Sequence, residues 1–224
     1  MFDQSGKLNK QLEKANKRLR KAMKALAPKH KGGEMEEYRA AQNDVLRLER
    51  ELAEFKGEEY AVPSDFPVKW DIGAPLPFLL CNDYKTYLTF YISDPDPNWD
   101  GTYVRVVDPS SSDPASLCLV TFRRCLSVKF GHPNDEVHLG HPLYGRGLES
   151  YTAQIVMNSK WIKEVAKNNS VHQYDEPEHW KEFKHYIFWF HDNTFECLAE
   201  SYEVEVTSET MGELLNRIQG KLLE

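Results

Sequence analysis

A chain of 224 residues, 41% hydrophobic and 12% aromatic, has enough apolar matter for one sizeable domain or a domain with an appendage, which excludes global disorder. Its formal net charge of −7 argues against a general nucleic-acid binder, whose affinity leans on neutralising phosphates. The first ten residues carry no apolar run and no stretch of about eighteen apolar residues occurs, so neither a secretory signal nor a membrane span is expected and the predicted location is cytoplasmic. The four cysteines, Cys81, Cys118, Cys125 and Cys197, form no CxxC pair and read as buried small hydrophobes in a reducing compartment.

The charge is unevenly distributed. Residues 1–31 hold ten Lys and Arg against two acids, whereas residues 34–59 hold nine acids against four bases. Over the same stretches apolar residues recur at threes and fours: Leu8, Leu12, Ala15, Leu19, Ala22 and Leu26, then Tyr38, Ala41, Val45, Leu48, Leu52 and Phe55. Pro28 and Gly32-Gly33 break the helix between them. Residues 1–57 are therefore predicted to fold as an antiparallel coiled-coil hairpin with a basic helix facing an acidic one. Residues 58–76 are Pro-rich and mark a boundary.

Residues 77–224 carry mainly β signals. "YKTYLTFYIS" alternates Leu88, Phe90 and Ile92 against Tyr87, Thr89 and Tyr91. "DPDPNWDG" turns the chain into a second strand, "TYVRVVD". A long run, 117–130, places Cys118, Val120, Phe122, Leu126, Val128 and Phe130 on one face; Arg124 falls there too and needs a bulge or a partner. "HYIFWFHDNTFECLAESYEVEV" reads as a hairpin turning at Asp192-Asn193, which opposes Phe188 to Cys197 and Trp189 to Glu196. Helices are expected over 148–167, around "EPEHWKEF", and after a Ser208 cap through Met211, Leu214, Leu215 and Ile218. The fold class is α+β: a helical hairpin, then a mainly antiparallel sheet domain with inserted and C-terminal helices.

The chemistry concentrates in "FGHPNDEVHLGHPLYGRGLESY", residues 130–151. His132, Asp135, His138 and His141 are ligand types for a divalent metal, and Glu136 lies among them, though Gly140 and Pro142 deny the helical His-x-x-His geometry of the best zinc sites. The alternative is a surface loop whose Asn134, Asp135, Gly and Pro are turn formers. A loop of this length, 131–147, is long for a compact domain, and such loops are usually functional or disordered. Leu139, Leu143 and Tyr144 give it apolar surface with which to pack. Arg146 suits an anionic group, and Asn158 and Ser159, on an expected buried stripe, need polar partners that the loop could supply. Glu196 beside Trp189, together with His191, offers acid–base chemistry if that sheet face is covered; a wet carboxylate is the plainer alternative. No nucleotide, flavin or GxSxG signature is present.

Three functions are compatible with these features. The first is a binding or adaptor protein that uses the 131–147 loop for a ligand or partner. A coiled-coil arm, residues 7–56, would dock a protein or a second copy of the chain. The second is a metal-dependent hydrolase with catalytic candidates Glu196, His191 and Glu136. The third is an oligomeric scaffold driven by the heptads.

Overall fold

The computed structural model describes residues 2–26, 33–93 and 107–224. The Pro28 break, the 94–101 turn and most of the expected "TYVRVVD" strand lie outside the described residues. The chain divides into two compact units. One comprises Met1–Val62, Leu139–Leu148 and Val156–Lys160, the other Pro63–His138, Glu149–Ile155 and Trp161–Glu224.

In the first unit, helix α1 (Phe2–Ala25) and helix α2 (Gly33–Phe55) pair as an antiparallel hairpin. Ala15, Val45 and Leu48 form its buried centre, with Leu8, Leu12 and Leu19 packed against them. Ala22, Ala41 and Leu52 extend the buried seam. Arg18 reaches across to Glu37 at 2.8 Å and Asp44 at 2.5 Å, so the basic-to-acidic complementarity takes a specific form. These pairs are half exposed and solvent-screened, so they bias the pairing more than they stabilise it.

Strand β1 (Tyr60–Pro63) follows α2. The guanidinium of Arg50 donates to the Ala61 carbonyl at 2.8 Å and to the Gly147 carbonyl at 3.0 Å. The Gly147 amide donates to Glu49 at 3.1 Å. Segment Leu139–Leu148 is thereby tied to α2 and β1 through side chains on consecutive helix positions. Gly147 sits at φ +80, and a Cβ there would lie 2.6 Å from the Ala61 carbonyl oxygen and from Arg50, so only glycine permits the approach.

The second unit is built from strands β2 (Phe78–Cys81), β3 (Thr86–Tyr91), β4 (Ala115–Arg123), β5 (Ser127–Gly131), β6 (Ala153–Met157), β7 (Lys184–Trp189), β8 (Thr194–Ala199) and β9 (Ser201–Glu209). Helix α3 (Lys160–Asn169) and helix α4 (Met211–Leu223) accompany them, with 3₁₀ turns at Asp135–Gly140 and Pro177–Glu182. One sheet has the order β2-β3-β4-β9 with every pair antiparallel. The other has the order β1-β6-β7-β8-β5.

Alternation along the strands decides what faces what. Leu88, Phe90, Cys118, Val120 and Phe122 of one sheet meet Tyr186, Phe188, Phe195, Cys197 and Ala199 of the other in a single aromatic-rich core. The opposite face of β3 and β4, with Tyr87, Tyr91, Leu117 and Leu119, is covered by Met211, Leu214 and Ile218 of α4. Among the described residues no helix is long and apolar enough to cross a membrane.

Four expectations are corrected. The run 117–130 is two strands in different sheets; Arg124, at φ +47, makes the corner between them, and its guanidinium lies outside on Glu182 at 2.8 Å and over the Phe183 ring. The stretch 148–167 is not one helix. Tyr151 and Asn158 adopt left-handed φ of 60 and 56, β6 occupies the middle, and only α3 is helical.

The β7–β8 hairpin closes at Trp189 opposite Thr194, with Phe190–Asn193 as a four-residue loop, so Glu196 opposes Ile187 rather than Trp189. A two-residue shift keeps every side chain on its face, which is why the core face came out right while the partners did not. The cap of α4 is Thr210 with Glu213 as a capping box, not Ser208.

Candidate functional site

The described polar cluster with the most chemistry is Asp135, Tyr151 and His191. Asp135 opens the 3₁₀ turn after the cis His132–Pro133 bond, and Thr194 holds the Pro133 carbonyl at 2.9 Å. The Asp135 amide donates to the His191 carbonyl at 3.0 Å, which fixes the loop to the β7–β8 hairpin. Its carboxylate oxygen Oδ2 takes the Tyr151 hydroxyl and His191 Nδ1, the latter at 3.0 Å. Tyr151 and His191 rings stack at 6.5 Å. The left-handed backbone of Tyr151 costs about 1–3 kcal/mol, offset by its amide bond to the Trp189 carbonyl at 2.9 Å and its bond to Asp135. The second carboxylate oxygen, Oδ1, is buried and has no hydrogen-bond partner among the described residues.

The electrostatics follow from these bonds. The Tyr151 hydroxyl, then His191, hold the Asp135 carboxyl below the usual carboxylate range. Burial, then Asp135, pushes the Tyr151 phenol up to about 12. The hydrogen bond to Asp135 raises His191, with Asp192 and Glu136 adding to it.

A raised imidazole stabilises the fold fully below its unfolded value of about 6.5 and loses that contribution as pH rises through the folded value. A depressed carboxyl stabilises above about 3.9 and fails as pH falls through its folded value. The cluster is therefore tightest between about pH 4 and 6.5. The expected result is an NMR titration of the His191 ring with its midpoint above that of an unstructured histidine, moved down by Asp135→Asn. An unmoved midpoint would show that the carboxylate does not govern the imidazole.

An imidazole held at Nδ1 by a carboxylate presents Nε2 as a base. Among the described residues no serine, threonine or cysteine hydrogen-bonds to His191, whose contacts are Asp135, Tyr151 and Asp192.

The remaining predicted residues fall into two sets. In the unit with Asp135, Glu136 and His132 are exposed and Asn134 is half-buried. His138 lies edge-on to Trp189 at 5.2 Å, and Trp189 is wholly buried. Glu196 receives His185 Nε2 at 2.7 Å, on the sheet face that also carries Lys129 opposite it. Trp161 of α3 lies against His185 at 5.2 Å and takes the Lys129 ammonium over its ring at 3.8 Å.

In the other unit, His141 Nδ1 accepts from the Leu143 amide at 3.1 Å. Arg146 meets the Glu58 carboxylate at 3.3 Å, and the Asn158 amide donates to the Glu58 carbonyl at 3.2 Å. The loop and Asn158 thus meet through Glu58. Asn158 itself is exposed, whereas Ser159 is buried. Among the described residues no group of three or more His, Cys, Asp or Glu side chains converges to hold a metal ion, and Asp135 is committed to Tyr151 and His191.

Tyr151, Thr194 and Arg50 went unrecognised in the sequence as site residues. The His185–Glu196 contact is diagonal across β7 and β8 and becomes visible only once the register is known. Cys81 is exposed and Cys125 half-buried, against the expectation that all four thiols are buried. Hydrogen bonding with Cys197, then Thr86, brings the Cys125 thiol down to about 7, while burial pushes Cys118 up to about 12.

Comparison with protein-family models, with curated proteins and with solved structures finds no match for this chain. The fold and the cluster define an α+β protein with a helical hairpin and a tethered polar loop, and its role has to be drawn from that geometry.

Proposed function

We propose that this chain is a binding protein whose recognition element is the segment 131–147, accompanied by the coiled-coil arm. One observation carries the reading: the segment is anchored by polar contacts while three of its apolar side chains stay exposed. The anchors are Pro133 on Thr194, Asp135 on Tyr151 and His191, and Arg146 on Glu58. Leu143 is buried, but Val137 in one unit is 51% exposed, and Leu139 and Tyr144 in the other are 74% and 50% exposed.

Exposed apolar side chains on an anchored backbone suit a protein partner with an apolar surface. Anchoring also lowers the ordering entropy lost on binding. In the arm the heptad seam is occupied within the hairpin, so residues 7–56 would offer a partner their outer faces.

The test compares the full chain with a Val137→Asp, Leu139→Asp, Tyr144→Asp variant as baits under matched conditions. Such surface changes alter stability by about 0.5 kcal/mol each at most. The reading expects a partner whose affinity falls at least about tenfold, equivalent to 1.4 kcal/mol. Equal retention of every partner by both baits would overturn it.

A hydrolytic reading has one observation in its favour, the carboxylate-held imidazole of His191. His191→Gln separates the two: loss of a measured hydrolysis with partner affinity intact favours the enzyme.

A further inference from the structure

A cleft of about 360 Å3 lies on the second unit, away from Asp135 in sequence and built by the stretch between α3 and β7 together with Leu126. Its walls are the rings of His172, Tyr174, His179 and Trp180, and its acids are Asp175 and Glu176. The parts are held in place by local bonds. The Trp180 indole N–H donates to Asp175 at 3.1 Å, which fixes a carboxylate at the edge of the indole ring. The Tyr174 amide donates to His172 Nδ1 at 3.3 Å, with the two rings 5.7 Å apart. The His179 and Trp180 rings lie 5.9 Å apart. Tyr174 remains 76% exposed, an aromatic ring left largely to water at the rim.

No lysine or arginine lines this cleft. Of the cations nearby, Arg124 is engaged by Glu182, Glu200, His179 and the Phe183 ring, and Lys181 by Glu178. Two carboxylates without a counter-cation repel anions. Carboxylates alone would take any cation, but aromatic walls favour an organic one, because ring faces attract an ammonium, most of all a methylated one that sheds its water easily. The volume is at the lower end for ligand pockets and suits a headgroup rather than a large molecule.

We infer that this cleft binds an organic ammonium group, that of a lysine or methylated lysine side chain or of a free alkylammonium ion. The inference is independent of the reading of segment 131–147.

The experiment follows the Trp180 indole N–H signal of the full, isotope-labelled chain by NMR. The probes are Nα-acetyl-lysine methylamide, its Nζ-trimethyl form, tetramethylammonium, and the neutral Nα-acetyl-norleucine methylamide. Saturable shifts with the cations and none with norleucine are expected. Asp175→Asn keeps the acceptor for Trp180 and removes the charge; it and Glu176→Gln should each weaken cation binding by up to about fivefold. Tyr174→Ala, at an exposed position, tests the aromatic wall without burdening the fold and should weaken the trimethyl form most. Tighter binding of the lysine derivatives than of tetramethylammonium points to a peptide side chain, and equal binding to a free cation. No saturable shift with any cation, or an equal shift with norleucine, overturns the inference.

Discussion

Phe188→Ala lowers the unfolding free energy by about 3–5 kcal/mol. Phe188 is wholly buried on β7. Its ring meets Phe66 at 5.2 Å, Phe122 and Phe195 at 5.9 Å, Trp70 at 6.1 Å and Tyr202 at 6.2 Å. Phe122 and Tyr202 belong to one sheet, Phe195 to the other, and Phe66 and Trp70 to the segment before β2, so the truncation opens a cavity where the sheets meet and no single strand can shift to fill it. Domains hold only about 5–15 kcal/mol in total, and the variant should stand near the edge of folding in a urea titration. Phe130→Ala is the comparison: that residue on β5 is 41% exposed, and its loss should cost clearly less than that of Phe188. Similar costs for the two would contradict the placement of the core.

Gly147→Ala is expected to cost about 3 kcal/mol or more, from the left-handed backbone and from the loss of charge-assisted bonds. The added carbon would come within 2.6 Å of both the Ala61 carbonyl oxygen and the Arg50 side chain. Arg50 must then leave the two carbonyls it holds, and segment Leu139–Leu148 loses its tie to α2. Hydrogen exchange reads this directly. The Ala61 amide, bonded to the Arg146 carbonyl at 2.9 Å, should lose protection in the variant while amides at the α1–α2 seam retain theirs. Unchanged protection at Ala61 would show that the tether lies elsewhere.

Much of this fold was legible because burial imposes a period. The heptads of α1 and α2 name the buried seam, and the alternation in β3, β7 and β8 names the faces that meet between the sheets, although the opposite faces of these strands are largely buried as well. Legibility failed where something other than periodicity decides. Leu148, Tyr151 and Ile155 have helical spacing, but Tyr151 turns left-handed and donates its amide to Trp189, so the chain enters a strand instead.

The β7–β8 register depends on a four-residue loop whose His191 carbonyl is bonded by a residue 56 positions earlier, and no local rule contains that bond. The candidate site was legible in part for the same reason. Asp135 and His191 stood out as residue types, yet their meeting, and Tyr151 as the third member, belong to tertiary structure. The cleft around Trp180 had no sequence signal beyond a cluster of aromatic and acidic residues.

The measurement that tests the central claim most directly is site-specific photocrosslinking in the full chain. A photoreactive phenylalanine is placed at Leu139 in one protein and at Val206, exposed on β9, in another. The anchored loop with its exposed apolar side chains predicts a discrete crosslinked partner from position 139, suppressed when Val137 and Tyr144 are changed to aspartate, and no such product from position 206. The same products from both positions, or none from position 139, would contradict it.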